Sequence, residues 1–168
     1  MKRLICIILI LCIFTLSGCH TQNADAYTDP VYFYYPYEDP DLYSQEDALA
    51  YEIREGAQIT TVTELIQLYF EGPERNDLYS PFPEEGTVLE CTLSGSLIRI
   101  TLSTQFNQLI GLQLTMATSC LALTLLNSKN LSVVEINIPA DDGSIARSFS
   151  LSRENIVLKD SYVALPAE

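Results

Sequence analysis

The chain has 168 residues, of which 22 are acidic and 9 basic, so its net charge is −13 at pH 7. This balance argues against nucleic acid as a partner, because phosphate binding requires clustered lysine and arginine side chains. The only histidine, His20, excludes a two-histidine metal site unless two chains share it. The length suits one domain with a core of its own.

The first 18 residues have the pattern of a signal peptide. Two basic residues precede an apolar run of about 13 residues, which is too short for a membrane-spanning helix of about 20. The run ends in Leu16-Ser17-Gly18-Cys19, which resembles the lipobox of bacterial lipoproteins. The resemblance implies transfer of diacylglycerol to the Cys19 thiol, cleavage before Cys19, and acylation with fatty acids such as palmitate. Two or three acyl chains are enough for stable membrane attachment.

The lipoprotein interpretation divides the chain into three parts. Residues 1–18 are a removable signal peptide, residues 19–30 are a flexible tether of small and polar side chains, and residues 31–160 are one domain. The alternative is an ordinary secretory signal peptide that is cleaved nearby, with Cys19 incidental. Both interpretations place the domain on the extracytoplasmic side of the membrane.

The first part of the domain is predicted to contain two strands and a helix. Residues 31–35 are aromatic and β-branched, and apolar residues alternate over 49–54, as in strands. Thr61 and Glu64 have the spacing of a capping box, which predicts a helix over 61–71.

The second part is predicted to contain a hairpin, a long buried helix and a further pair of strands. The predicted elements are strands over 87–93 and 97–102, a helix from about 108 to 126, a strand over 131–138 and a return strand over 145–151. The order of elements predicts an α+β fold in which two helices pack on one face of a small mixed β-sheet.

Five segments follow one another in an order found in a known domain. They are Tyr32-Phe33-Tyr34, the helix end Leu68–Pro73, the turn Ser80–Thr87, Leu102–Phe106 and the strand Val133–Ile136. Together they resemble the GerMN domain, the sporulation and spore-germination domain of lipoproteins from Gram-positive spore formers. The resemblance covers roughly residues 31–140. It implies a fold like the ring-building motif, no catalytic centre, no cofactor, and a membrane-anchored role exerted through contacts with envelope or sporulation proteins.

Cys91 and Cys120 are the two thiols that remain when the signal peptide is removed and Cys19 is lipidated. An even pair of cysteines in an exported protein can form a disulfide. The alternative is that both thiols are buried and pack as small apolar side chains. The sequence leaves both open, since it does not fix the distance between them.

The tyrosine-rich first strand is a candidate interface. Tyr32 and Tyr34 are predicted on one face, and Phe33 and Tyr35 on the other. Exposed members of the set Tyr32, Tyr34 and Tyr35 could contact a protein partner, a second copy of the chain, or peptidoglycan sugars. The alternative is that these side chains pack in the core.

The sequence favours a protein that acts by binding. The acidic stretch Glu38-Asp39-Pro40-Asp41 lacks the spacing of a calcium loop and is interpreted as a solvated loop, so no metal site is predicted. A phosphate-binding glycine loop, a zinc motif and a nucleophile elbow are also absent from the sequence. Protein contact is the preferred function. Binding of a cell-wall glycan or a small ligand is the alternative, and wall hydrolysis is disfavoured.

Overall fold

A computed structural model describes residues 30–39, 49–56, 59–128 and 130–156. The signal peptide predicted over 1–18, the lipid-attachment residue Cys19, and the tether up to residue 29 lie outside these residues, as does the end of the predicted domain after residue 156. Within the described residues, no helix has the length and apolar character needed to cross a membrane.

The described residues form six strands, two α-helices and a 3₁₀ helix. The elements are β1 Val31–Pro36, β2 Leu49–Arg54, α1 Val62–Phe70, β3 Val88–Ser94, β4 Leu97–Leu102, the 3₁₀ helix Thr104–Gln108, α2 Leu112–Ser128, β5 Val133–Pro139 and β6 Ile145–Leu151. The strands β3-β4-β5-β6 form a sheet in that order, with β4 and β5 parallel and the other neighbours antiparallel. The predicted α+β class with a mixed sheet is confirmed.

The β1–β2 pair forms a separate two-stranded antiparallel sheet, which the sequence did not predict. The second edge of β1 lies against α2, where the Tyr34 backbone N–H donates to Thr124 Oγ1 at 3.0 Å. The Thr124 hydroxyl in turn donates to the Cys120 carbonyl at 2.9 Å. Helix α2 thus lies against this edge of β1, and among the described strands β1 pairs only with β2.

Helix α2 is the most buried helix, as its apolar sequence predicted. It contacts β1 as well as β5 and β6, so nearly every residue from Met116 to Leu126 is buried. The sheet contributes the opposite wall of the core with Ile98, Ile100, Val134, Ile136 and Ile138, all without solvent exposure. A helix that is apolar on all sides is expected to lie between two layers.

The ends of the helices follow local chemistry. The capping box of α1 is present: Glu64 N–H donates to Thr61 Oγ1 at 3.2 Å, and Thr61 N–H donates to Glu64 Oε2 at 3.0 Å. Helix α2 begins at residue 112 rather than at the predicted residue 108, because a 3₁₀ helix occupies 104–108 and Gly111 has a φ of 54°. A positive φ interrupts a right-handed helix and suits glycine.

Candidate interaction site

The tyrosine side chains of β1 alternate between the two faces of the strand as predicted, but only some of them are exposed to solvent. The register pairs Tyr32 with Ile53 and Tyr34 with Tyr51, which places these side chains on one face. Tyr32 is half-buried, whereas Tyr34 and Tyr35 have no solvent exposure. Of the three candidate interface residues, only Tyr32 therefore keeps solvent exposure, and Tyr34 and Tyr35 pack in the core as the alternative interpretation expected.

The buried tyrosines join β1 to α1. The Tyr35 hydroxyl donates to the Tyr69 carbonyl at 2.9 Å, and the Tyr69 hydroxyl donates to the Tyr34 carbonyl at 2.7 Å. The Tyr35 and Tyr69 rings stack with centroids 4.8 Å apart. Burial raises the pKa of Tyr34 to about 12 and raises the pKa of Tyr69 well above its usual value. These hydroxyls are satisfied structural groups, as buried polar atoms generally are.

A smaller aromatic surface remains on the β1–β2 pair. Tyr32 and Tyr51 meet edge to face with ring centroids 5.2 Å apart, and Ile53 lies beside them on the exposed face. The sequence predicted that apolar residues alternate over 49–54. It did not predict that the face carrying Tyr51 and Ile53 is exposed to solvent.

The two thiols do not form the disulfide considered from the sequence. Cys91 and Cys120 are both free. Cys120 is fully buried on α2, within hydrogen-bond reach of the Tyr69 hydroxyl, and Cys91 is half-buried on β3. Burial raises the pKa of both thiols, as expected for side chains that pack as small apolar groups.

An open groove of about 510 Å³ separates α1 from β3. We call it the β3 groove. Its α1 wall is formed by Thr63, Ile66, Gln67, Phe70 and Glu71, and its other wall by residues 86–91. The apolar surface comes from both walls, with Ile66 and Phe70 facing Val88, Leu89 and Cys91. Polar side chains line the rim.

Three phenylalanines support the base of the β3 groove. The Phe70 and Phe82 rings stack with centroids 4.4 Å apart, and Phe82 lies 5.6 Å from Phe106. A Cβ atom on Gly86 would approach the Phe106 ring to 2.8 Å, so only glycine fits where the chain enters β3. Residues 81–86 form the turn that leads into β3. The packing of this turn fixes the distance between the two walls of the β3 groove.

Strand β3 is an edge of the four-stranded sheet and carries a bulge. The register shifts between Val88 and Glu90, and Leu89 in between is 60% exposed. Leu93 is 46% exposed, although its cross-strand partner Ile98 is fully buried. Leu93 lies on the core side of the sheet, opposite Ile98, but α2 does not extend over this edge of the sheet.

The electrostatic character of the β3 groove is acidic. Glu71 and Glu90 are exposed on its two walls, and none of the residues that line it is basic. The long apolar base and the acidic rim suit a partner that carries both apolar and cationic groups.

A buried ion pair holds the end of α1 near β2. Glu52 and Arg54 form a salt bridge, and Glu52 Oε2 also accepts from the Glu74 and Arg75 backbone N–H groups at 2.9 and 3.2 Å. The Arg54 guanidinium donates to the carbonyls of Leu68 at 3.1 Å and Gly72 at 2.6 Å, and so caps the helix C-terminus. It also lies 4.5 Å from the centre of the Phe33 ring. Sequence patterns did not indicate this cluster, because Glu52 and Arg54 bond groups that lie 14 to 23 residues further along the chain.

No group of three or more His, Cys, Asp or Glu side chains suited to a metal ion occurs in the part of the chain that the structure describes. The predicted acidic loop extends beyond residue 39 into residues that the structure does not describe.

The architecture was compared with known proteins. No protein-family model and no curated protein sequence matches the chain. Among solved structures, the tandem GerMN domains of the sporulation protein GerM from Bacillus subtilis match 74% of this chain with a TM-score of 0.51 at 16% identity. The fold is GerMN-like. The chain spans 44% of that tandem protein.

A second solved structure is a putative lipoprotein from Clostridium perfringens. It matches 77% of this chain and 90% of its own length, with a TM-score of 0.44 at 18% identity. The GerMN-like architecture expected from the segment order is confirmed by the comparison with the tandem domains. At this identity the comparison concerns the fold.

Proposed function

We propose that this protein is a lipid-anchored, extracytoplasmic protein that acts through protein contacts in sporulation, germination or cell-envelope assembly, without catalysis. The observation that carries the proposal is the GerMN-like fold, and the proposal is supported by the lipobox-like pattern of residues 16–19 after a predicted signal peptide. The B. subtilis protein that shares the fold is a sporulation protein. The anchor places the protein at the outer face of the cell membrane of a Gram-positive bacterium.

A lipid anchor would help the domain to bind its partners. A lipid anchor confines the domain to one surface and raises its effective concentration toward other membrane-bound proteins, so weak interfaces become sufficient. The acidic domain is repelled by anionic lipid headgroups and anionic wall polymers. It therefore stands away from the bilayer on its tether, with the β3 groove accessible to partners.

The volume of the β3 groove supports a second candidate, the binding of a cell-wall glycan or a small ligand. About 510 Å³ lies within the usual range of roughly 300–1,000 Å³ for ligand sites. Thr63, Gln67 and Glu90 could hydrogen-bond a polar ligand there. Calorimetric titration with soluble muropeptides tests this candidate: saturable binding that Phe70→Ala removes and Tyr79→Ala retains would favour it over protein contact.

Deletion of the gene in the native host tests the preferred function. We expect fewer heat-resistant spores with normal vegetative growth, and restoration by the wild-type gene. A Cys19→Ala gene should fail to restore spores and should lose palmitate labelling, since the product leaves the membrane. A Cys12→Ala gene is the matched control, because residue 12 lies in the signal peptide outside the lipobox. Normal spore counts after deletion would contradict the sporulation role.

A further inference from the structure

We propose that the edge of β3 binds an extended, cationic segment of a partner protein, which adds to the four-stranded sheet as an antiparallel fifth strand and places its apolar side chains in the β3 groove. This inference rests on the proposed function in that it takes the partner to be a protein. It adds the mode of binding and the chemistry of the partner.

The backbone of β3 is suited to strand addition. Gly95, with a φ of 60°, and Ser96 form a two-residue turn that closes the hairpin at the Ser94–Leu97 pair. A closing pair of this kind exchanges hydrogen bonds, so the pairs that follow alternate between bonded and non-bonded. Leu93 and Cys91 therefore direct their N–H and C=O groups away from β4. No hydrogen bond from another described residue satisfies these outward groups.

The side chains on this edge match an added strand. Residues opposite Leu93 and Cys91 on an antiparallel neighbour would exchange hydrogen bonds with them and share their face of the sheet. This face is the one that α1 and α2 cover, and the β3 groove extends along it beside Ile66 and Phe70. A strand about 4.8 Å from β3 would thus place alternate side chains against apolar walls. It would also cover Leu89 and Leu93, which are exposed now.

The charge distribution identifies the partner's chemistry. Glu71 lies on the α1 wall of the groove, and Glu90 lies on the opposite face of the edge strand β3, where alternate side chains of an added strand would point. The groove lining contains no basic residue, and the whole chain carries a charge of −13. A partner segment with lysine or arginine between its apolar residues complements this surface, and long-range attraction accelerates its association. A second copy of this chain would bring two acidic edges together, and like charges at an interface are costly.

A peptide probe tests strand addition on the full-length protein in neutral detergent micelles. The probe is a fluorescent ten-residue peptide of alternating valine and lysine, measured by polarisation. We expect saturable binding and at least tenfold weaker binding when the valine nitrogens are methylated, because these nitrogens would donate to β3. A valine–glutamate peptide should not bind. Equal binding of the methylated peptide would overturn the proposal, since simple charge attraction needs no backbone donors.

Two sets of variants locate the binding. Leu93→Pro removes an outward N–H and should weaken probe binding at least tenfold, whereas Leu93→Val keeps the N–H and should bind nearly as wild type. If circular dichroism shows that the proline variant is unfolded, charge reversal decides. Glu71→Lys/Glu90→Lys should reverse the preference toward the glutamate peptide, and Asp141→Lys/Glu154→Lys, which changes the net charge equally on other exposed residues, should not.

The outcomes separate this inference from the proposed function. Normal spores after deletion with intact probe binding would contradict only the sporulation role. A spore defect with a β3 edge that binds no probe would overturn only strand addition. Sedimentation that shows a dimer abolished by Leu93→Pro would also overturn the proposal, because a second copy would then occupy the edge.

Discussion

Leu93 and Ile98 face each other across the β3–β4 ladder, yet Leu93 is 46% exposed and Ile98 is fully buried. Both side chains point to the core side of the sheet. The difference arises because α2 packs on β5 and β6 at the other edge of the sheet, and α1 stands apart from β3 across the groove. The domain therefore has an edge strand with an incomplete apolar cover. Exposed edges of this kind promote pairing with another chain.

Amide hydrogen exchange along β3 should alternate. The Thr92 and Ser94 N–H groups face β4 and should be protected, whereas those of Cys91 and Leu93 face outward and should exchange at least about tenfold faster. Exchange measured by NMR on the full-length protein in micelles checks this pattern. Uniform protection of all four amides would contradict a free edge.

Removing one member of the buried Glu52–Arg54 pair should destabilise the domain strongly. Arg54→Met leaves a buried carboxylate without its charge partner and exposes the last carbonyls of α1, which should cost about 3 kcal/mol. The double variant Glu52→Gln/Arg54→Met should cost less than the sum of the two single variants. Unfolding free energies from denaturant titration provide the check. Additive losses would show that the pair is not energetically coupled.

The Tyr69 hydroxyl should contribute measurably to stability. Tyr69→Phe leaves the Tyr34 carbonyl without its donor in a dry environment and should cost about 1–2 kcal/mol. Tyr79→Phe is the matched control, since Tyr79 is partly exposed and its hydroxyl has no hydrogen-bond partner among the described residues. Equal melting temperatures for the two variants would contradict the role given to the Tyr69–Tyr34 contact.

The two thiols should differ in reactivity. Iodoacetamide should label Cys91 slowly at neutral pH, because it is half-buried and its pKa is raised, and should reach Cys120 only when the protein unfolds. Peptide mass spectrometry after labelling distinguishes the sites, with Cys91→Ser as the control that removes native labelling. A disulfide-linked peptide containing both cysteines would contradict the structure.

Stability should decline in alkaline solution. Burial raises the pKa of Tyr34 to about 12 and raises that of Tyr69, whereas both ionise near 10 in an unfolded chain. The unfolded state therefore loses protons first, so these tyrosines leave stability unaffected below about pH 10 and reduce it progressively toward pH 12. Absorbance at 295 nm should show that exposed tyrosines ionise first. A second group, the buried tyrosines, should ionise only as the protein unfolds and its circular dichroism signal is lost. Reversible ionisation of every tyrosine near pH 10 in the folded protein would contradict the raised pKa values of Tyr34 and Tyr69.

Local patterns predicted most of the elements but not how the strands divide between two sheets. The strand over 97–102, the capping box at Thr61 and the buried character of α2 all follow from side-chain chemistry within a few residues. The position of β1 against α2 involves the contact between Tyr34 and Thr124, which are 90 residues apart. No periodicity records such a contact.

The candidate site was predicted less well, for a related reason. Alternation predicted the β3–β4 hairpin, but exposure depends on how far a helix reaches across the sheet. Tyr34 and Tyr35 were candidates for an interface because exposed and buried strand tyrosines have the same sequence pattern. Their side chains are bonded from other elements: the Tyr35 hydroxyl donates to the Tyr69 carbonyl, and the Asn127 side chain donates to the Tyr34 hydroxyl at 2.9 Å.

We propose that a membrane-anchored domain works through the β3 edge. The most direct test replaces the chromosomal gene with Glu71→Lys/Glu90→Lys and, separately, with Asp141→Lys/Glu154→Lys, in a host whose deletion strain has lost heat-resistant spores. At equal amounts of protein in the membrane fraction, we expect the first strain to lose spores like the deletion and the second to sporulate normally. Full spore counts in the first strain would contradict the claim.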